Sequence, residues 1–451
     1  MENDMKEADT KLFAVTGKPI LHSLSPQMQN AAFMASGIDS IYTRLAAESA
    51  KEALDAATTI GISGLNVTAP FKEEIAKLCD ELDEKMRETN AVNTVLLNEG
   101  KIRGFNTDVD GVCGALIGNQ VQISGTNALV IGAGGAATAA IVALVSGGAK
   151  VTIANRTLEK AEQLAKKFGC ETIDISELNN VNGVVPHADI IVSTISSSEQ
   201  VIQKGLLNSS TVVLDANYST ESVLVRDARA ARCKIIDGRE WLLHQGAAAF
   251  RLFTGKDAPI EAMRTALYAN SKTAKGNGKT PRKSNIALIG FMGSGKTTVA
   301  KKISADAGMR HIDIDENIEK KSGTKIKEIF ENHGEMKFRD MENEEISTIN
   351  GATNTVISCG GGVILNPENI EILRKNCIVV WLTASPKTIF ERIGTDESRP
   401  LLNVADREDV AQRIIGKRIP LYAKTADIIV HTDAKTAEEV SKQIVEEILR
   451  G

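Results

Sequence analysis

Asn127-Ala-Leu-Val-Ile131-Gly132-Ala-Gly134-Gly135-Ala136-Ala137 is the stretch on which the reading of the chain turns. Ala128 to Ala149 carries no charge and is long enough to cross a bilayer. Its interior argues otherwise. Four apolar residues run as a strand, glycines interrupt them, and an alanine-rich segment follows. Glycine and alanine contribute little transfer energy, so a buried strand, turn and helix is expected. A second strand, Val151-Thr-Ile-Ala154, lies beyond it. In that setting Gly132-Ala133-Gly134-Gly135-Ala136-Ala137 reads as G-x-G-x-x-A, a turn whose backbone N–H groups and following helix N-terminus receive a pyrophosphate. After the second strand stand Asn155-Arg156-Thr157, where an acid would favour a free ribose 2′-hydroxyl. A guanidinium with no acid beside it suits a 2′-phosphate, which predicts NADP rather than NAD.

Strand-like runs recur outward from this point, at Lys150–Ala154, Ile190–Ser193, Val212–Leu214 and Lys234–Ile236, with helical patterns between them. That alternation predicts βαβ units on a parallel sheet over residues 111–238. Leu12–Thr16 and Gly64–Thr68 mark a preceding α/β region over 1–110. Trp241 to Ala269 reads as one or two helices completing that first region (239–270). Ser271 to Ser284 (SKTAKGNGKTPRKS) has five bases, no acid and no apolar periodicity, and reads as a flexible linker. No aromatic interleaves its charges, which disfavours a nucleic-acid patch.

Past the linker, Asn285–Ile289 is a strand and Gly290-Phe-Met-Gly293-Ser294-Gly295-Lys296-Thr297 matches G-x-x-x-x-G-K-[ST]. Its backbone cradles phosphates, with Gly293, Ser294, Gly295 and Thr298 at the nucleotide. Lys296 reaches the β/γ-phosphates and Thr297 offers a hydroxyl to Mg²⁺. His311-Ile-Asp313-Ile-Asp315 comes next, read as two carboxylates on one face of a strand end. Residues 285–451 thus form a P-loop α/β domain with a parallel sheet and an ATP site. The whole chain is α/β: a substrate domain and a Rossmann NADP-binding domain, then the kinase-like domain.

Composition bounds the remainder. With 451 residues, 42% hydrophobic and 25% charged, the chain is globular rather than disordered. A net charge of −5 excludes a general polyanion binder, and 4% aromatics argue against base-stacking platforms. The six cysteines are scattered without C-x-x-C, so neither a zinc site nor a disulfide framework is expected. Met1 to Thr10 lacks an apolar core segment, and a cytoplasmic enzyme with no membrane or nucleic-acid partner is the expectation. Oligomeric state is not legible.

Five polar clusters then point to a substrate. They are Gly17-Lys-Pro-Ile-Leu-His-Ser23-Leu-Ser25-Pro, Asn66-Val-Thr68-Ala-Pro-Phe-Lys72, Asn90-Ala-Val-Asn93-Thr, Gly104-Phe-Asn106-Thr107-Asp108 and Gly238-Arg-Glu-Trp-Leu-Leu-His-Gln245. In this order they resemble shikimate dehydrogenase across residues 11–270. The resemblance implies that Ser23 and Ser25 hold the substrate carboxylate and that Thr68, Asn93 and Gln245 bind ring hydroxyls. It implies that Lys72 and Asp108 are the catalytic pair, that Tyr218 reaches the substrate and that Gly238 lies at the cofactor. A lysine sharing a hydrogen bond with an aspartate can donate and recover the proton that ketone reduction needs. His22 is given a positioning role and His244 none. One departure stands out: Asp215-Ala-Asn-Tyr218-Ser219 lacks the proline that often follows the tyrosine, so a looser loop is expected.

The second half, with Gly334-Glu-Met-Lys-Phe-Arg339-Asp-Met-Glu342, Ser358-Cys-Gly360-Gly361-Gly362, Arg399-Pro-Leu-Leu402 and Arg418-Ile-Pro-Leu-Tyr422, resembles shikimate kinase. The likeness implies Asp313 at Mg²⁺, Asp315 as the base for the attacking hydroxyl, and Arg339 and Arg418 clamping the carboxylate. Gly361 and Gly362 lie against the ring, Arg399 belongs to a closing lid begun by Gly394, and Arg392 stacks on adenine. The combined expectation is a bifunctional enzyme making shikimate from 3-dehydroshikimate and then phosphorylating it, with free diffusion between sites. The alternatives are a first half acting on quinate and an inactive sensor of pathway intermediates. A sensor would have lost Lys72, Asp108, Lys296 or Asp315, and all four are present.

Overall fold

The computed structural model describes residues 10–84, 89–195, 200–269, 283–394 and 407–450. The strands in chain order are β1 Lys11–Gly17, β2 Ser40–Ala46, β3 Ile62–Val67, β4 Glu81–Leu82, β5 Thr94–Asn98 and β6 Lys101–Phe105. They continue with β7 Asn127–Ile131, β8 Lys150–Asn155, β9 Glu171–Asp174, β10 Ile190–Ser193, β11 Val212–Asp215 and β12 Lys234–Ile236. Beyond the linker come β13 Asn285–Ile289, β14 Arg310–Asp313, β15 Thr355–Ser358, β16 Cys377–Thr383 and β17 Ile428–His431.

By contact density the chain forms two compact units. One gathers residues 1–26, 37–71 and 271–451, and so draws on both sides of the linker. The other comprises residues 27–36 and 72–270.

In the second unit a six-stranded sheet runs β12-β11-β10-β7-β8-β9, parallel throughout. Its central strands are apolar on both faces. Ala128 and Val130 of β7 join one core with Val192, Ile153 and the alanine-rich helix Gly135–Ser146. Leu129 and Ile131 join the opposite core with Ile191 and Val213. A strand covered by helices on both sides needs a continuous apolar run rather than alternation. This is why the uncharged stretch 128–149 is a buried strand, turn and helix. Among the described residues no helix is long and apolar enough to cross a membrane. Chain order reverses at β7, which lies between β10 and β8, so the Gly132–Gly135 turn opens at the switch point where such sheets bind ligands.

The first unit holds a run of strands in the order β14-β15-β13-β16-β17-β2-β1-β3. Every adjacent pair in that run is parallel, including β17 with β2 (Ile429 opposite Leu45, Val430 opposite Ala46). The strand before the second glycine loop, β13, is again flanked by neighbours of opposite winding, β15 and β16. The mixed α/β, parallel-sheet reading therefore holds for both nucleotide-binding parts. Most of the linker, and the lid from Thr395 through Arg399 to residue 406, lie outside the described residues.

Candidate active sites

The phosphate-binding turn of the first unit connects β13 to the helix Lys296–Ala307. Lys296 Nζ donates to the carbonyls of Gly290 and Phe291, each at 2.9 Å, which folds the loop around its ammonium. Thr297 Oγ1 donates to Asp313 Oδ2 at 2.9 Å and lies 3.1 Å from Ser358 Oγ. A hydroxyl, a carboxylate and a second hydroxyl are hard oxygen donors, and a Mg²⁺ ion that keeps several waters needs few protein ligands. The residues fit that ion. Gly293 to Thr298, Arg392, Thr432 and Lys435 line a cavity of about 400 Å³ beside the turn. Arg392 donates to Thr432 Oγ1 at 2.8 Å and to the Thr432 carbonyl at 2.7 Å, which fixes its guanidinium on that wall.

Asp313 and Asp315 do not share a strand face. Asp313 ends β14 and caps the next helix, accepting from Glu316 N at 3.0 Å, and Asp315 already lies in that helix's first turn (Ile314–Ser322). A capping aspartate followed by two acids matches the positive end of a helix and starts it earlier than alternation suggests. The two carboxylates still line one cavity of about 580 Å³, together with Phe330, Arg339, Gly360–Gly362 and Arg418.

Arg339 sits on the helix Ile326–Ser347, which kinks at Gly334 (φ 79°). Its Nη1 donates to Glu342 Oε2 at 2.8 Å and its Nη2 to Glu335 Oε1 at 2.8 Å. Glu342 is fully buried, and that burial pushes its carboxyl above the ordinary range while Arg339 pulls it back. Arg418 is 8% exposed and donates to the Gly361 carbonyl at 3.2 Å, which also accepts from Tyr422 Oη. A Cβ on Gly362 would lie 2.3 Å from both terminal nitrogens of Arg339, so only glycine lets the guanidinium reach this wall. Two cations, one carboxylate beside the phosphate turn and a bare glycine floor suit a small anionic polyol.

In the second unit, Lys72 opens a short helix (Lys72–Ala76) and Asp108 opens the helix Asp108–Gly118. Lys72 Nζ donates to Asp108 Oδ2 at 2.5 Å, and the two side chains are 19% and 10% exposed. Asn106 Oδ1 accepts from Asp108 N at 2.9 Å and the Lys72 carbonyl accepts from Val92 N at 2.9 Å, so both ends of the pair are pinned. Asn93 Nδ2 donates to Thr107 Oγ1 at 3.0 Å and to Gln245 Oε1 at 3.3 Å. Gln245 can come so near because its helix (Gly238–Thr254) lies against glycines of the neighbouring one. A Cβ on Gly111 would meet Trp241 at 2.5 Å, and one on Gly114 would meet His244 at 2.5 Å.

The dinucleotide turn lies in the same unit. Gly132 has φ 120°, a side chain at Gly134 would project into open space, and the helix begins at Gly135. Room above a helix N-terminus fits a pyrophosphate. Arg156 and Thr157 are set past β8, and Asn155 Nδ2 holds the Thr157 carbonyl at 2.8 Å. Gly238 is buried against the Asp215 carbonyl. The loop before and after Tyr218 carries side-chain to backbone hydrogen bonds of its own. Asp215 Oδ1 accepts from Asn217 N at 3.1 Å, Asn217 Oδ1 from Ser219 N at 3.0 Å, and Asp215 Oδ2 from Ser222 Oγ at 2.5 Å.

In the first unit, Ser23 is buried on the loop after β1 and Ser25 is buried where that loop enters the helix Ser25–Ala35, and Thr68 comes after β3 with its N–H on the Thr16 carbonyl at 2.8 Å. Arg44 of β2 donates through Nη2 to the Ser23 carbonyl at 2.7 Å.

Comparison with known proteins joins these parts. Residues 15–95 match the shikimate dehydrogenase substrate binding domain, 116–219 the shikimate/quinate 5-dehydrogenase domain and 238–268 the shikimate 5′-dehydrogenase C-terminal domain. Residues 292–449 match shikimate kinase. The chain belongs to the shikimate dehydrogenase family and is a dehydrogenase–kinase fusion. The NADP(+)-dependent shikimate dehydrogenase of Pyrococcus abyssi is 40% identical over 259 residues, which are 56% of this chain and 96% of that one. That of Halobacterium salinarum is also 40% identical, over 57% and 98%. Among solved structures, the shikimate dehydrogenase of Aquifex aeolicus aligns with TM-score 0.54 and 36% identity over 58% of this chain and 99% of that one. The enzyme of Thermus thermophilus in complex with NADP(H) and shikimate aligns with TM-score 0.53 and 31% identity over 57% and 99%.

Sequence reasoning passed over three residues of the fusion enzyme. Glu342 sits one helical turn after Arg339, a spacing at which opposite charges meet. Thr107 lies between two residues already singled out, and Tyr422 shares the Gly361 carbonyl with Arg418. His244 packs against Gly114 and Gly118 of the neighbouring helix.

Proposed function

We propose that the dehydrogenase part reduces 3-dehydroshikimate to shikimate and that the kinase part phosphorylates the 3-hydroxyl of shikimate with Mg²⁺-ATP. NADPH, when bound, supplies the hydride. Lys72 Nζ gives the proton to the forming alkoxide, and Asp108, at 2.5 Å, keeps that nitrogen aimed. Asn93, Thr107 and Gln245 hold one another in place to receive ring hydroxyls, while Ser23, Ser25 and Thr68 take the carboxylate and a further hydroxyl. Tyr218 contacts the substrate and Gly238 the cofactor. Arg156, with Asn155 and Thr157, receives the 2′-phosphate that marks NADP.

In the kinase part Arg339 and Arg418 take the carboxylate, and Asp315 accepts the proton of the attacking hydroxyl. Lys296 turns from its loop carbonyls to the phosphates, and Thr297 and Asp313 would hold Mg²⁺, which would neutralise charge on them. Such transfer needs alignment and charge neutralisation more than covalent help. Arg392 borders the base, and Arg399 meets the phosphates from the lid. Six cysteines, none in a disulfide, suit a reducing cytoplasm.

The observation that carries the reading is the gathering of Asp315, Arg339 and Arg418 around one cavity beside the phosphate turn, in a chain that also holds the Lys72–Asp108 pair. A time course with 3-dehydroshikimate, NADPH, ATP and Mg²⁺ tests it. NADPH loss should be followed by an equal release of ADP, and Lys72→Ala should stop both while NADP binding persists. ADP release that does not depend on the prior reduction, or a preference for quinate over shikimate in the reverse assay, would overturn it.

A further inference from the structure

The loop Lys18–Ser25 carries Ser23 and Ser25, the two serines proposed to take the substrate carboxylate, and any catalytic meaning of its anchoring depends on that assignment. Its backbone is held from the far end of the chain. Glu447, on the last helix of the kinase part (Ala437–Arg450), accepts through Oε2 from Ile20 N at 2.7 Å and Leu21 N at 3.2 Å. The side chain is buried, with 4% of the residue exposed, so it serves these two N–H groups rather than solvent. The same loop is held at its other end by Arg44, which donates to the Ser23 carbonyl and, through Nη1 at 3.2 Å, to the carbonyl of Asp427 just before β17. Lys435, which lines the nucleotide cavity, is ion-paired with Glu52 on the helix after β2. Three kinase-part contacts therefore converge on the dehydrogenase segment, and two of them act directly on the loop or on its holder.

We infer that Glu447 of the kinase part is a positioning residue for the dehydrogenase reaction: it fixes the backbone at Ile20 and Leu21 so that Ser23 and Ser25 present their hydroxyls to the carboxylate of the ring acid. A buried acceptor lost from two N–H donors leaves both unsatisfied, and the loop must rearrange to reach water. The effect falls on binding of the acid and not on hydride transfer, because Lys72 and Asp108 stand on other elements.

The test uses the full-length enzyme, with NADP⁺ reduction by shikimate monitored without ATP so that the kinase part is silent. Glu447→Leu should raise KM for shikimate about five- to tenfold, the scale of one ordinary hydrogen bond lost between the loop and the carboxylate. The kcat, KM for NADP⁺ and the separately measured kinase constants should stay within about twofold. Glu447→Gln, which keeps a carbonyl oxygen in place, should restore KM. A merely structural role would lower both activities together and would not be rescued in KM alone. If Glu447→Leu fails to fold, Glu447→Asp, too short to span both N–H groups, decides by the same split. An unchanged shikimate KM in the folded variant overturns the inference. Ser25→Ala measured alongside separates the two levels: if it too leaves KM unchanged, the carboxylate assignment fails first.

Discussion

Gly362→Ala perturbs Arg339 together with the glycine floor of the kinase cavity. The added methyl would lie 2.3 Å from Nη1 and Nη2 and 2.4 Å from Cζ of that arginine, whereas ordinary contact begins near 3.4 Å. The guanidinium must retreat by about 1 Å, and it cannot swing freely, because Glu342 and Glu335 each hold one of its terminal nitrogens at 2.8 Å. A misplacement of about 1 Å in a group that orients substrate costs about 100-fold in rate, or about 2.7 kcal/mol of transition-state stabilisation. The assay is ADP release against shikimate concentration, with NADP⁺ reduction by shikimate measured on the same preparation. Kinase kcat/KM should fall about 100-fold while the dehydrogenase constants stay within about twofold, so the chain supplies its own folding control. Gly416→Ala, on the helix that carries Arg418 and with nothing within 4 Å of the new methyl, should leave both activities intact. A loss of less than threefold in Gly362→Ala would refute the assignment of Arg339 to the carboxylate.

Other expected outcomes rest on single residues. Arg156→Ala should reduce the preference for NADP over NAD about tenfold, read as the ratio of kcat/KM for the two cofactors, while kcat with NADP changes little. Burial pushes the thiols of Cys79 and Cys377 up to about 11 and about 12 and holds that of Cys359 well above its ordinary value. At pH 7.5 these three should therefore alkylate with iodoacetamide far more slowly in the native enzyme than in urea, as peptide mass mapping would show. Burial also holds the Glu447 carboxyl above its ordinary value, so the native state keeps that proton more tightly than the unfolded chain. Stability is then lost as pH rises from the ordinary carboxylate range through the native value, and the cost is fully present above it. Glu447→Gln removes that cost, so its gain in urea midpoint over wild type should be largest at pH 8 and shrink as pH falls to about 4.5.

The nucleotide-binding parts were legible because their signals are local. Asn127–Ala137 and Asn285–Thr297 each hold a strand, a glycine turn and a helix start within a dozen or so residues, and both occur at the switch points of parallel sheets. The kinase cavity was legible through its arginines, but one of its acids, Asp315, was misplaced by one element. Alternation carried the strand on to Asp315, whereas the Asp313 cap had already begun a helix. Glu342 escaped notice because its value lies in where Arg339 points, which charge alone does not reveal. The contacts of Glu447 with Ile20 and Leu21 leave no mark in either segment, since backbone N–H groups have no sequence signature and the partners lie more than 400 positions apart.

The parallel pairing of β17 with β2 gives the gene fusion a physical meaning. A strand at the border of a sheet offers a row of unmet amides to any passing chain, and proteins spend charges, prolines or covering loops to blunt it. Here β17 and β2 cover each other's border over two residue pairs, Ile429 with Leu45 and Val430 with Ala46. A cut at the linker would bare both borders wherever the two pieces drift apart.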